Sequence, residues 1–363
     1  MTKAILAVLL TVGVVAGIIV IVGRSDGGSN KASPPTTTST TVLTAAQLAE
    51  RSESEAWNAE ATDAFGGQAL NKTIQDLLNG VNDWKSGKKS SADFATELDT
   101  HLKAFVLARD RMHALRPYPQ DPRVNDFYGR SANLYVEAIR VYQDMVALPA
   151  TPARDQTELM ARRIRELADR IFDRGRALVD AHLYVEPAKD VELRLPEEVP
   201  NWVAEGLAPG PPLDDPPPPA DPLAPIHQDT RPTTSTSGWL SAVAASGAPP
   251  APDLPAAITA GDGARLQAVG RAFVGAAEKL RNQPDPAGPE GREEGARFRL
   301  GLLVDGEAAR AAQLATVIGD PTLAAHLGVT ARRLALVGEG LSAPGVPPRS
   351  SGFDPGLLAQ NGP

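Results

Sequence analysis

Apolar residues are distributed along this chain in two ways: as one unbroken run near its start, and as stripes at helical spacing from about residue 44 onward. The run over residues 4–23, AILAVLLTVGVVAGIIVIVG, holds no charge and no proline, and Thr11 is its one hydroxyl side chain. As a helix rising about 1.5 Å per residue it covers about 30 Å, the hydrocarbon thickness of a bilayer. The pattern predicts a transmembrane signal-anchor. A cleavable secretory signal is the competing reading, but it wants an apolar core of about 7 to 15 residues followed by small residues. This run is longer, and it puts Ile21 and Val22 where small residues belong.

Lys3 flanks the run on one side and Arg24 and Lys31 on the other, so charge does little to orient it. The Thr/Ser/Pro tract at 33–42 resembles an extracytoplasmic stalk, with a plain flexible linker as the alternative. No later stretch is apolar enough to enter a membrane again. The expected order is a cytoplasmic stub at 1–3, the anchor at 4–23 in the cytoplasmic membrane, a stalk at 24–43, and the bulk of the chain outside.

Beyond the stalk the spacing is that of amphipathic helices, and the fold class is all-α. Leu70, Ile74, Leu77, Val81 and Trp84 form one stripe, and Trp57, Ala61 and Phe65 form another upstream of Gly66-Gly67. That glycine pair leaves two outcomes open, a kinked helix or two shorter ones. A second helix carries Phe94, Leu98, Phe105, Ala108 and Met112, with Ser91 as its expected N-cap, and closes at PYPQDP. A third carries Val124, Phe127, Leu134, Ala138, Val141 and Met145. A fourth carries Met160, Ile164, Leu167, Ile171 and Leu178. Four such helices with short turns predict an antiparallel four-helix-type bundle over 44–185. Acids crowd the first helix and arginines the fourth, as neighbours in such a bundle would.

Prolines then arrive too often for any long helix, and 186–255 reads as a Pro-rich linker in which Trp202 and Trp239 are candidate anchors. Helical spacing returns at Leu266, Val269, Phe273 and Leu280, then at Leu300, Val304, Ala308 and Ala311, then at Leu323, Leu327, Leu334 and Val337. This predicts a second smaller helical bundle at 256–342 and a flexible tail at 343–363. The two regions share features. Phe105 precedes Pro117 and Pro119 much as Phe273 precedes Pro284 and Pro286, and the last helix of each bears paired arginines, Arg162-Arg163 and Arg332-Arg333. Internal duplication of a helical module accounts for this, and so does a common way of turning a helical chain.

Composition sharpens the picture in three places. The chain contains no cysteine, so disulfides, thiolate metal sites and a lipid-modified cysteine are excluded. Arginine outnumbers lysine while alanine, glycine and proline abound, which suits coding from a GC-rich bacterial genome. The net charge of −8 is concentrated in the linker, leaving no basic surface large enough for nucleic acid.

Chemistry-bearing motifs are scarce. There is no nucleophile elbow, phosphate loop or zinc-protease motif, and Asp110 with His113 or Glu97 with His101 falls short of a di-metal set. No cofactor, metal or catalytic residue is expected. The candidate partner or ligand face is the first bundle's: Tyr128, Tyr135 and Tyr142 recur every heptad, as do Arg109, Arg116, Arg123 and Arg130. Tyrosine supplies apolar area with a polar tip and arginine holds acidic groups; boundary packing is the plainer account of the tyrosines. The expected function is a non-enzymatic, membrane-anchored scaffold or protein-binding module of the cell envelope. A small-ligand-binding sensory bundle and an enzyme of unfamiliar type are the alternatives.

Overall fold

A computed structural model describes residues 44–183, 193–194, 222–223, 233–250, 253–281, 283–287, 289–341 and 350–361. These are mostly helical, with ten α-helices, and the fold class is all-α. The anchor at 4–23, the stalk and Trp202 lie outside the described residues; among those described, no helix is long and apolar enough to cross a membrane.

The first unit comprises α1 (Ala45–Ala64), α2 (Gln68–Lys85), α3 (Ser91–Ala114), α4 (Arg123–Ala147) and α5 (Pro152–Leu183). Five helices stand where a four-helix-type bundle is expected, because the glycine pair separates α1 from α2. Gly66 and Gly67 have φ of 78° and 55°, a left-handed backbone that glycine adopts without steric cost. Thr44 and Gln47 close a capping box on α1. Ser90, one residue before the expected cap, accepts the N–H of Asp93 at the start of α3.

α4 is the spine of this unit, buried along most of its length between α3 and α5. Contacts run antiparallel: the Phe105 ring lies 5.1 Å from Tyr135, His113 abuts Gly129, and Ser131 Oγ donates to the Ala168 carbonyl at 2.8 Å. At one end an aromatic cluster joins α1, α4 and α5. The Tyr128 ring stacks on Phe172 at 4.8 Å and on Trp57 at 5.9 Å, with Phe65 edge-on. Gly175 of α5 makes this possible, because a Cβ there would lie 2.8 Å from the Tyr128 ring and 3.0 Å from Phe127 Cβ. Tyr128 is packed on every side. Gly175→Ala is therefore expected to destabilise the protein by about 1–3 kcal/mol despite alanine's better helix propensity, measurable as a lowered urea midpoint.

The second unit comprises α6 (Thr236–Ser246), α7 (Asp253–Ala260), α8 (Gly263–Arg281), α9 (Pro289–Val317) and α10 (Pro321–Glu339). α9 is its spine, flanked by α8 and α10. α6 and the start of α7 correct the expected linker. Between Pro232 and Pro249 the chain is free of proline, Ser235 caps α6, and Trp239 is fully buried with its ring edge-on to Phe298 at 6.2 Å.

The expected flexible tail is also corrected over 350–361. There Phe353 and Leu358 pack against the core, and Asp354 caps a short 3-10 turn, Pro355–Leu358. Its Pro/Gly content suggests mobility, but the buried arginines that hold its carbonyls cannot be read from local sequence.

The units pack α4 on α10 and α5 on α9, within one continuous hydrophobic cluster. The pairing is reciprocal. Glu-Ala-Ile-Arg at 137–140 recurs as Glu-Ala-Ala-Arg at 307–310, and Ala-Arg-Arg-Ile at 161–164 recurs as Ala-Arg-Arg-Leu at 331–334, each 170 residues on (137 to 307, 163 to 333). α4 thus corresponds to α9 and α5 to α10, so exchanging the two units maps one inter-unit contact onto the other.

Candidate functional site

Three arginines from three helices converge where the units meet. Arg109 of α3, Arg140 of α4 and Arg333 of α10 are 1%, 7% and 0% exposed. All three reach the segment 357–361. Arg109 Nη1 donates to the Leu358 carbonyl at 3.0 Å, and its Nη2 to the Ala359 carbonyl at 3.4 Å and to Asn361 Oδ1 at 2.6 Å. Arg140 Nη2 donates to the Gln360 carbonyl at 2.9 Å. Arg333 Nε donates to the Leu357 carbonyl at 3.0 Å and its Nη2 to that of Gln360 at 3.4 Å. A helical turn leaves its last carbonyls without intrahelical donors, and a guanidinium fork suits consecutive acceptors.

Glu137 balances part of this charge from within the core. Its carboxylate pairs with Arg140, accepts Thr330 Oγ1 at 3.2 Å and lies 3.7 Å from Arg333 Nη1. Asp110 accepts Arg109 Nε at 2.9 Å, but its side chain is 52% exposed. Burial lowers the pKa of Arg333; Glu137 opposes this, while the like charges of Arg140, Arg109 and Arg332 add to it.

The rest of the α4–α10 seam is polar as well. His326 Nδ1 lies 3.1 Å from Asp144 Oδ1, and burial raises the Asp144 carboxyl to about 6 against the pull of His326. Arg297 of α9 meets Asp126 at 2.6 Å and the Gly340 carbonyl at 3.0 Å, with its guanidinium over the Phe127 ring. The twin seam holds the corresponding set. Glu307 and Arg310 of α9 and Arg163 of α5 are all buried, and burial raises the Glu307 carboxyl to about 7 while the charges of Arg163 and Arg310 pull it down. Lys279, 170 residues after Arg109, donates to the Ser246 carbonyl at 3.1 Å.

The residues singled out from sequence do not form one face. Arg109 belongs to the clasp just described. Arg116 lies at the surface against Glu60, at 2.9 and 3.1 Å. Arg123 pairs with Asp121 and reaches Glu294 at 3.8 Å, and Arg130 bridges Asp126 and the Val337 carbonyl. Tyr128, Tyr135 and Tyr142 are core. Tyr135 donates to Asp169, and burial raises all three phenols, Tyr142 to about 12. Trp239 anchors α6 in the second unit.

Glu137, Arg140 and Arg333 are absent from the sequence-based set. Their signal was a charge standing on an apolar stripe, as Glu137 and Arg140 do between Val136 and Val141. His101 faces Glu97 at 3.4 Å and His113 faces Asn133 at 3.4 Å, and no group of three metal-competent side chains occurs among the described residues. A cleft between Phe273, Asp305, Glu339 and Ser351 has room for about one water molecule. No protein-family model, curated protein or solved structure matches this chain.

Proposed function

We propose that this chain is a non-enzymatic, single-pass protein of the cell envelope whose helical body, outside the cytoplasmic membrane, binds other envelope proteins. The observation that carries the reading is the charge-free apolar run at 4–23, followed by a Thr/Ser/Pro tract and then a mostly helical body. Two fused helical units with polar seams also suit a rigid binding module better than a small-ligand receptor. The alternative receptor would have used Tyr128, Tyr135 and Tyr142 as its lining, and these are core.

The test is topological first. In intact bacteria with a permeabilised outer layer, added protease is expected to remove the body, and the full chain is expected to stay with membranes through an alkaline carbonate wash. Deleting 4–23 behind an exported leader should release the body to the soluble fraction. A protected body, or full-length protein found in the soluble fraction, refutes the anchor. Cross-linking then asks about partners: envelope proteins captured reproducibly by the anchored form and lost with the deletion support the scaffold.

A further inference from the structure

We propose that Arg109, Arg140 and Arg333 form a receptor for an acidic group, carboxylate or phosphate, and that segment 357–361 is an internal occupant which such a group displaces. The inference stands apart from the anchoring reading and does not depend on it.

Three guanidinium groups, each more than nine-tenths buried, aim their donors at one place. What fills that place is four peptide carbonyls and a carboxamide oxygen, which satisfy hydrogen bonds and neutralise no charge. Paired oxygens of a carboxylate or phosphate answer the same forks with shorter, stronger bonds. Glu137 is shared between Arg140 and, at 3.7 Å, Arg333, and Asp110 answers Arg109 from a half-exposed position, while Arg332 adds a further positive charge within range of Arg333. An arriving anion relieves that crowding.

The segment is anchored upstream at Ser351 and clasped by the arginines over 357–361 from its inner side only. Ser351 is fixed by its N–H and Oγ on Glu339 at 3.0 and 2.6 Å, whereas Ala359, Gln360 and Asn361 are exposed on their outer side. The receptor is also not an accessory of this segment alone. Its glutamate and its basic groups recur at Glu307, Arg310, Arg163 and Lys279, so the constellation belongs to the repeated module.

Because the chain has no cysteine, one Gln360→Cys substitution in the full-length protein accepts an environment-sensitive dye at an exposed position. Citrate is titrated in one arm and inorganic pyrophosphate in the other, each against sodium chloride of equal ionic strength. The expected result is a saturable dye response to at least one anion and none to chloride. Response in one arm alone assigns the ligand to the carboxylate or the phosphate class. Arg140→Gln should weaken the midpoint at least tenfold with the helical circular dichroism unchanged. Leu358→Ala changes no arginine and keeps the backbone carbonyl that Arg109 holds, but it removes the occupant's side-chain packing, so it should tighten the midpoint several-fold even where the arginine variant fails to fold. Three results overturn the proposal: no saturable response to either anion, calorimetric binding with the dye unmoved, or an unchanged midpoint in Leu358→Ala.

Discussion

Glu137→Ala is expected to lower stability by about 3–5 kcal/mol, the cost typical of removing one partner from a buried ion pair. The carboxylate is buried, so its loss leaves Arg140 and Arg333 facing each other in the core and strips Thr330 of its acceptor. The damage crosses from one unit to the other, because Arg333 belongs to α10. Urea unfolding followed by circular dichroism measures the change. Adding Arg333→Leu to Glu137→Ala should recover part of the loss, since a buried charge without a partner costs more than an apolar side chain of similar volume. A loss below about 1 kcal/mol for the single variant would show that water reaches the pair and screens it, as at exposed ion pairs.

The protein is expected to become less stable as pH rises from about 4 to about 7. Burial raises the Asp144 carboxyl to about 6, and the Asp173 and Glu307 carboxyls to about 7. In each case the folded state keeps a proton that the unfolded chain has already released, so folding is favoured below the unfolded pKa. That advantage is lost as pH climbs through the folded pKa. For Glu307, from the ordinary 4.5 to about 7, the shift corresponds to about 3 kcal/mol at most. His113, whose pKa burial lowers, pulls the other way. Glu307→Gln isolates the effect, because an amide does not titrate. The wild type should be the more stable of the two near pH 5, or equal to the variant, and the less stable near pH 8. A difference in melting temperature that stays constant across this range would show that Arg163 and Arg310 keep Glu307 ionised throughout.

Most helices were legible because burial in a bundle imposes a period on the sequence. Phe94, Leu98, Phe105 and Met112 mark the buried side of α3, and Leu323, Leu327, Leu334 and Val337 that of α10. The glycine pair at 66–67 announced a break without deciding its kind, since positive φ at both positions is a property of the folded backbone.

The clasp was legible only in fragments. Arg109 stood in a heptad row with Arg116, Arg123 and Arg130, but a row in sequence does not fix where long side chains end. Arg116 goes to Glu60 and Arg123 to Asp121, both within the first unit. Arg109 and Arg130 keep local acids, Asp110 and Asp126, but also reach carbonyls in segments more than two hundred residues away, a separation no local pattern encodes. The tyrosine row follows the plainer of its two readings, packing rather than a face. A helix packed on both sides has no outer stripe to expose, and α4 is such a helix.

The reciprocal pairing of α4 with α10 and α9 with α5 has an evolutionary consequence. Glu137 answers to Arg333 in the other unit as well as to Arg140 in its own, and Glu307 to Arg163 as well as to Arg310, so each unit completes the charge balance of the other. A change at one end of such a cross-unit pair is felt by the other unit. Positions 137 and 333 should covary among descendants of this chain, as should 163 and 307, and a recombinant that borrows one unit from a diverged lineage inherits both mismatches at once.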